Sequence, residues 1–449
     1  MLGLLRRHGR NAGFALWDQG AFSAGNFIFN VMLARWLDGA AYGTVTLVLS
    51  LGLSILAFYS AFVLETSSVI GPTRYAGSLR SYFCVLFRLH VLLTGAFFAL
   101  CLLAAAIALA PLQRMVMWLL AASTPFVLLV WLARRLPYVM GVPAAAAAVS
   151  TLYAVLLLAG AFALRAFDML SPVTAVATAS LGSAAAAGLL PVWLRRVPQQ
   201  VETLKTDILG RIVREHWRYS RWLLLAGLLA LPSSFVQSAL AAAFLGVEAV
   251  GILRAVGNLV VPTGLLVTAT SGFSLSLIAR DIAAGNGDAA WRKARIITIV
   301  LTAICVTYYF LILMLGPTLD DLLYAGRYQQ HIQLVAILGL TPVLSALGVG
   351  GALFIRAVEK TQFALASAAL SGPASAAASV LLMPRYGLEG AAISAVIPPT
   401  IAVAVIFYFA SRERRHARMV VSADTVASLA AIRRRSDLTR ASVQESSPG

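Results

Sequence analysis

The first long apolar stretch of the chain carries polar side chains at helical spacing. Gln19, Ser23, Asn26 and Asn30 recur at i, i+4, i+7 and i+11, so they share one face of a helix, and Asp18 lies one position off that face. Polar side chains in an apolar helix face either a water-filled cavity or the protein interior. The first arrangement lines a path for a polar solute. The second supplies hydrogen bonds between helices, worth less than ~2 kcal/mol each.

A second group of polar side chains lies in the seventh apolar stretch. It consists of Ser233, Ser234, Gln237 and Ser238. Hydroxyl and amide groups donate and accept hydrogen bonds and can therefore bind the hydroxyl groups of a solute. Together with the polar residues of the first stretch, Gln237 is a candidate substrate-binding residue.

Two arginines lie inside apolar stretches, where cations are rare. Arg254 is about five residues from one end of the eighth stretch, and Arg88 is about six residues from one end of the third. A helix rises 1.5 Å per residue, so each guanidinium is about 8 Å from a membrane surface. Each arginine can bind an anionic substrate in the interior or extend to the lipid headgroups. The sequence leaves both roles open.

Motifs of catalysis are absent from the sequence. It has no GxSxG, Walker, HExxH or CxxC pattern. The three cysteines, all in apolar stretches, and the five dispersed histidines form no ligand spacing for a metal. We therefore expect no enzymatic activity, no cofactor and no metal site.

Twelve apolar stretches position these residues. Hydrophobic residues make up 60% of the chain, and its mean hydropathy is +0.85. About 20 apolar residues form a helix that crosses the hydrocarbon layer of ~30 Å. The sequence predicts an all-α polytopic membrane protein with spans at 14–34, 42–64, 82–110, 115–133, 144–164, 171–194, 222–245, 249–279, 296–316, 331–355, 363–383 and 388–410.

Positive charge is distributed unevenly between the loops. With the amino terminus in the cytoplasm, 28 of the 35 Lys and Arg residues lie on the inner side and two lie inside spans. The outer loops hold the other five, which are Arg35, Arg114, Arg165, Arg327 and Arg385. This bias follows the positive-inside rule, so we expect both termini in the cytoplasm. The net charge of +17 then indicates contact with anionic lipid headgroups, not with nucleic acid.

A short motif occurs once in each half of the chain. Leu37-Asp-Gly-Ala-Ala-Tyr-Gly43 closes the first predicted hairpin, and Leu245-Gly-Val-Glu-Ala-Val-Gly251 closes another 208 residues later. Six spans separate the two copies, so both cross the membrane in the same direction. This is the pattern of a parallel repeat with a pseudo-two-fold axis along the membrane normal. The sequence predicts two six-helix bundles, 1–194 and 222–411, around a central cavity.

The connection between the bundles, 195–221, is the longest inner segment. Apolar residues recur in it at Val201, Leu204, Ile208 and Ile212, with charged residues between them. The spacing favours an interfacial helix on the cytoplasmic leaflet, and a solvated linker is the alternative. We expect the basic tail, 412–449, to be cytoplasmic and largely disordered.

Motifs near both ends of the predicted membrane region carry a resemblance to a known family. They are Trp17-Asp-Gln-Gly-Ala-Phe-Ser-Ala-Gly-Asn-Phe27, Asn30, Leu33-Ala-Arg-Trp-Leu37, Tyr42-Gly43, Val63-Leu-Glu65 through Gly71-Pro72 and Tyr386-Gly-Leu-Glu-Gly-Ala-Ala392. These segments resemble polysaccharide and O-antigen flippases of the multidrug/oligosaccharidyl-lipid/polysaccharide (MOP) exporter superfamily. The resemblance implies two six-helix bundles forming a V. Arg254 looks like the eighth-helix arginine that faces the anionic lipid head in related lipid II flippases. The cationic first helix of those relatives is not reproduced here.

The same resemblance implies a function. Family members move a polyprenyl-diphosphate-linked oligosaccharide from the inner to the outer leaflet of the inner membrane, by alternating access, for O-antigen, lipopolysaccharide or exopolysaccharide synthesis. Arg254 and Arg88 would bind the diphosphate, and the polar residues of spans one and seven would bind sugar hydroxyls. The expected partners are the lipid-linked oligosaccharide and membrane lipids, with polysaccharide polymerase machinery as a further candidate. Nucleic acid is not expected.

Two other functions stay open at this stage. A cation-coupled multidrug antiporter of the same superfamily would be favoured by an acidic residue deep in a span, whereas Asp18 and Glu65 lie near span ends. A membrane glycan polymerase or ligase would need a sizeable outer loop with catalytic residues, and the outer loops of this chain are short.

Overall fold

The structure of the chain is all-α, as predicted. The computed structural model describes residues 2–108, 110–195, 208–231, 235–283, 285–358 and 362–445. Throughout this part the regular elements are helices, and it contains no β-strand. The fold class is confirmed at this level.

Eight helices form the first half of the chain. They are α1 (Leu2–Trp36), α2 (Gly39–Tyr59), α3 (Thr66–Arg74), α4 (Leu79–Ile107), α5 (Pro111–Val139), α6 (Pro143–Ala166), α7 (Pro172–Ala187) and α8 (Leu190–Leu194). A π-helical turn, Ser60–Glu65, joins α2 to α3, and a 3₁₀ turn, Ala76–Ser78, precedes α4.

Eight more helices form the second half. They are α9 (Ile208–Ala230), α10 (Phe235–Leu245), α11 (Val247–Asn258), α12 (Val261–Ala283), α13 (Gly287–Tyr324), α14 (Leu334–Leu338), α15 (Leu340–Ala357) and α16 (Gln362–Glu445). Helix α16 contains a break at Gly387, whose φ of 57° and ψ of −130° are not helical. The described backbone of α16 continues as a helix to Glu445. The largely disordered state of the tail, 412–449, stays a prediction.

The chain is a multi-pass membrane protein. In the described part, eight helical segments are long and apolar enough to cross a membrane, or nine if the bent pair α11 and α12 is one span. Two further predicted spans coincide with α1 and with α9 and α10. One of the eight segments, Leu365–Arg412, covers two predicted spans, one on each side of the Gly387 break. Twelve spans are therefore supported only approximately.

The predicted eighth span, 249–279, is two helices in the structure. Helix α11 ends at Asn258 and α12 begins at Val261, so the helical run is broken at Leu259 and Val260. Pro262 lies in the first turn of α12, where the missing backbone N–H of proline costs no helical hydrogen bond. The break follows the carboxyl end of α11, the helix that carries Arg254.

Packing groups the chain into two units. The first comprises Met1–Val260, Leu311–Leu338 and Ser371–Pro398, and the second comprises Val261–Phe310, Gly339–Leu370 and Pro399–Gly449. The core of the second unit is built mainly by α12, α13 and α15, around Ile278, Leu301 and Phe354. The division into bundles at 1–194 and 222–411 stays a prediction.

The two copies of the repeated motif contact each other inside the first unit. Asp38 and Gly246 are the N-cap residues of α2 and α11, so the 208-residue offset is preserved. A Cβ atom added at Gly43 would lie 2.0 Å from the Val247 carbonyl oxygen, and one added at Gly251 would lie 3.1 Å from the Gly39 carbonyl oxygen. Because Val247 is the counterpart of Gly39, these contacts are related by a local pseudo-two-fold axis. The sequence repeat is thus a structural repeat at the hairpins.

Candidate functional site

A buried polar cluster lies beside the two hairpins. The Tyr42 hydroxyl of α2 donates to Asn30 Oδ1 of α1 at 3.2 Å, and Asn258 Nδ2 of α11 donates to the Tyr42 oxygen at 3.4 Å. All three side chains are buried. The cluster therefore joins three helices from the two halves of the chain through one phenol. We call it the Tyr42 cluster.

Arg254 adjoins the Tyr42 cluster. It lies one helical turn before Asn258 on α11. Its positive charge is close enough to the Tyr42 phenol to interact with it electrostatically. The side chain is partly buried, and its Nε has no hydrogen-bond partner among the residues that the structure describes. A buried guanidinium N–H without an acceptor is energetically costly, which makes it a candidate to bind an anion. Two predicted site residues, Asn30 and Arg254, thus both lie in the neighbourhood of Tyr42.

Two further tyrosines and a carboxylate extend this region. The Tyr324 hydroxyl donates to the Ala255 carbonyl at 3.0 Å, and the Tyr328 hydroxyl donates to the Ala34 carbonyl at 3.0 Å. Asp320 is fully buried, and its Oδ2 accepts from the Tyr328 N–H at 3.2 Å. Within the described ranges its Oδ1 has no hydrogen-bond partner. These residues, which sequence reasoning placed in an outer loop, hold α13 against α1 and α11.

The other predicted residues of α1 have different environments. Asn26 is partly buried; it donates to the Phe22 carbonyl and accepts from the Tyr153 hydroxyl of α6 at 3.1 Å. Gln19 is exposed and bonds Ser23 on its own helix. Asn26 and Asn30 therefore make hydrogen bonds between helices, whereas the Gln19 side chain is exposed and bonds only within α1 among the described residues.

Gln237 and Arg88 lie outside the Tyr42 cluster. Gln237 of α10 is partly buried and donates to the Ala391 carbonyl at 3.1 Å. Arg88 is exposed on α4, between exposed Phe87 and buried Leu89. Ser233 and Ser234 lie outside the described residues.

Sequence reasoning missed a buried ion pair. Arg134 of α5 binds Asp18 of α1 through Nε and one terminal nitrogen, both at 3.1 Å. Tyr138 donates to Asp18 Oδ2 at 2.8 Å, and Ser150 donates to Oδ1. Asp18 and Arg134 are both buried. The predicted span ends at 133 and places Arg134 in an inner loop, whereas α5 extends to Val139.

Aromatic rings complete the environment of Arg134. Its guanidinium carbon lies 3.7 Å from the centroid of the Phe22 ring and 5.0 Å from that of Trp131. Such cation–π contacts stabilise a desolvated cation. Asp18 is therefore neutralised by a cation that belongs to the protein.

Comparisons with known proteins show which proteins have a similar fold. The chain matches no family model and no curated protein. It is similar to an inward-facing multidrug resistance MATE family transporter of the MOP superfamily, with a TM-score of 0.72 and 14% identity over 89% of this chain and 96% of that one. It is also similar to the lipid II flippase MurJ in an inward closed conformation, with a TM-score of 0.66 and 12% identity over 92% of each chain.

A third similar structure comes from the same group of proteins. It is a MOP superfamily transporter from Pyrococcus furiosus, with a TM-score of 0.65 and 14% identity over 92% of this chain and 96% of that one. The fold of the chain is therefore that of the MOP superfamily transporters. At these identities the likeness concerns the fold and leaves the cargo open.

Proposed function

We propose that the protein flips a polyprenyl-diphosphate-linked oligosaccharide from the inner to the outer leaflet for surface polysaccharide synthesis. The observation that carries this proposal is Arg254, a partly buried guanidinium with an unpaired Nε beside the Tyr42 cluster. A guanidinium binds phosphate oxygens in a fork, with a geometry that a lysine cannot reproduce. The fold shared with a lipid II flippase adds support.

The polar side chains near Arg254 suit the sugar part of such a cargo. Asn30 and Asn258 offer amide groups beside the guanidinium, and Gln19 offers an exposed amide on the same helix face as Asn30. Amides donate to and accept from sugar hydroxyls. Arg88, exposed on α4, stays a proposed second cation for the diphosphate as the cargo enters from the lipid.

Alternating access would require the two hairpins to separate. In the present conformation Gly43 and Gly251 allow backbone contact between α2 and α11. With the amino terminus in the cytoplasm, these hairpins are at the outer end of their helices. A cargo that leaves outward passes this point only when the contact opens.

A cation-coupled multidrug antiporter is the second candidate. Two observations favour it: the likeness to a MATE transporter and the burial of Asp18. The ion pair with Arg134 argues against it, because the Asp18 carboxylate already accepts four hydrogen bonds and has a cation in contact. We therefore rank the flippase first.

The test is complementation of surface glycan in a deletion strain at matched membrane abundance. We expect Arg254→Ala to lose most export and Arg254→Lys to keep part of it, because a lysine supplies charge without the fork. Arg385→Ala, which removes an exposed cation, is the matched control and should complement fully. Full complementation by Arg254→Ala would contradict the proposed role of Arg254. Drug resistance conferred by the wild type without any effect on surface glycan would favour the antiporter.

A further inference from the structure

Helix α9, which belongs to the first unit, has one face packed against its neighbours. Ile212, His216 and Ser220 recur every four residues and are completely buried. The Tyr82 hydroxyl donates to His216 Nε2 at 2.9 Å, and His216 Nδ1 donates to the Phe62 carbonyl, in the π-helical turn, at 2.8 Å. The sequence placed Ile212 on a lipid-facing apolar stripe, but in the structure it faces protein. The predicted positions Val201 and Leu204 lie outside the described residues.

A second attachment holds the start of α9. Glu215 forms an ion pair with Arg74 at 3.2 Å and accepts a hydrogen bond from the Tyr75 hydroxyl at 3.1 Å. Burial, with a further contribution from the Glu215 charge, raises the pKa of Tyr75 to about 12, so the phenol stays a donor at physiological pH. Helix α9 is thus held in a fixed orientation, which determines the side of the helix that is exposed.

The opposite face of α9 is a stripe of four arginines. Arg211, Arg214, Arg218 and Arg221 are all exposed. At 100° and 1.5 Å per residue they fall within an arc of about 80° and a length of about 15 Å, roughly 180° from the buried face. The single acidic residue of α9 is Glu215, which is engaged with Arg74. None of the four arginines forms an ion pair within the part of the chain that the structure describes.

Two tryptophans flank the arginines. Trp217 and Trp222 are 57% and 63% exposed, and the Arg221 guanidinium carbon lies 5.5 Å from the Trp222 ring centroid. Indole rings on apolar helices prefer the level of the lipid headgroups. The predicted seventh span begins at 222, so the arginines lie on its inner side, at and just beyond that level.

We propose that the Arg211–Arg221 stripe is a binding surface for anionic glycerophospholipid headgroups of the inner leaflet. Guanidinium groups bind phosphate oxygens, and a row of cations near the surface attracts an anionic leaflet. The contacts of His216 and Glu215 fix the helix in advance, so the backbone loses no freedom on binding. The proposal is independent of the cargo.

Selective quenching by brominated lipids tests this surface. Gly210 is exposed with open space around it, so Gly210→Cys in a background without the three native cysteines can carry a bimane fluorophore. The full-length protein is placed in nanodiscs with brominated phosphatidylglycerol or brominated phosphatidylcholine at equal mole fraction. We expect quenching to be several-fold stronger with the anionic lipid and the difference to shrink as salt is raised.

Three variants separate this surface from general basicity. Changing the four arginines of α9 to Gln should bring the quenching ratio to about one, and changing them to Lys should keep most of the selectivity. The matched control changes four other exposed inner arginines, Arg280, Arg292, Arg295 and Arg356, to Gln and should keep the wild-type ratio. Size-exclusion profiles and melting temperatures confirm that each variant is folded.

Three results would overturn the proposal. One is a ratio near one in the wild type. Another is an unchanged ratio in the Gln variant of α9. The third is selectivity that appears only with a polyprenyl diphosphate added to neutral lipid, since that would assign the stripe to the cargo instead of to the leaflet.

Discussion

Arg35 and Arg327 form reciprocal contacts between the carboxyl ends of α1 and α13. Arg35, in the last turn of α1, donates to the Leu322 carbonyl of α13 at 2.9 Å. Arg327, just after α13, donates to the Ala34 carbonyl at 3.3 Å and to the Leu37 carbonyl. Cations at helix carboxyl ends satisfy free carbonyls and complement the helix dipole. Both arginines are outer-loop exceptions to the charge bias, and this exchange gives them a structural role.

The glycine contact between the hairpins predicts that alanine substitutions at two glycines of α2 have opposite effects on stability. Gly43→Ala would place a Cβ atom 2.0 Å from a backbone oxygen, which cannot move aside, so we expect a loss of about 1–3 kcal/mol and a lower melting temperature. Gly52→Ala is the control: it lies on the same helix with open space and should stabilise the protein by up to about 1 kcal/mol. Equal melting temperatures for the two variants would argue against a backbone contact at Gly43.

A disulfide across the hairpins should stop transport. A Cβ atom at Gly39 would lie 2.7 Å from Glu248 Cγ, so cysteines at 39 and 248 are close enough to bridge. In a background without Cys84, Cys101 and Cys305, we expect the oxidised double variant to lose glycan export and to recover it with reductant. Each single cysteine variant should be insensitive to the oxidant. Normal export by fully cross-linked protein would show that this contact need not open.

Orientation is tested by labelling single cysteines with an impermeant reagent. From the charge bias, Asp38, Asp168 and Asp321 should label from outside, whereas Arg80 and Arg292 should not. Asp321 replaces Asp320 as the probe because the structure buries Asp320. External labelling at Arg80 or Arg292 would reverse the topology and with it the assignment of the hairpins to the outer side.

The sequence predicts the helical class, most of the span positions and the hairpin repeat because these depend on local patterns of hydrophobicity and spacing. It does not predict that Asp18 meets Arg134, since the two are 116 residues apart and no local pattern links them. The sequence identifies part of the Tyr42 cluster and its surroundings. Asn30 and Arg254 are polar residues in predicted spans, whereas Tyr42 belongs only to the repeated hairpin motif. Asp320 is buried in the structure, where its Oδ2 accepts a hydrogen bond from the Tyr328 backbone N–H, a contact that forms only in the folded chain.

The Asp18–Arg134 pair predicts strong coupling between two substitutions. Asp18→Asn or Arg134→Met alone leaves one buried charge unpaired, which costs about 3–5 kcal/mol. The double variant removes both charges, so its melting temperature in detergent should lie above the value expected from adding the two single effects. Simple additivity would show that the pair is not a coupled unit.

The same variants bear on the antiporter alternative. If the pair is structural, glycan export by the double variant should follow its membrane abundance. If Asp18 couples a cation, the double variant should lose transport even at wild-type abundance.

His216 predicts that the attachment of α9 weakens in acid. Its two hydrogen bonds require a neutral imidazole with the proton on Nδ1, and burial lowers the pKa of that imidazole below its ordinary value of about 6.5. A depressed pKa means that the unfolded or undocked state binds the proton more readily. The stabilisation is therefore complete above about pH 6.5 and declines as the pH falls below that value.

Hydrogen exchange of the α9 amides tests this prediction. Between pH 7.5 and pH 5, the protection factors, corrected for intrinsic exchange rates, should fall as the pH falls. His216→Gln keeps a donor and an acceptor without titrating, so its protection should change much less, whereas His331→Gln should behave like the wild type. Protection that is flat in the wild type, or equally pH-dependent in His216→Gln, would assign the acid sensitivity to another group.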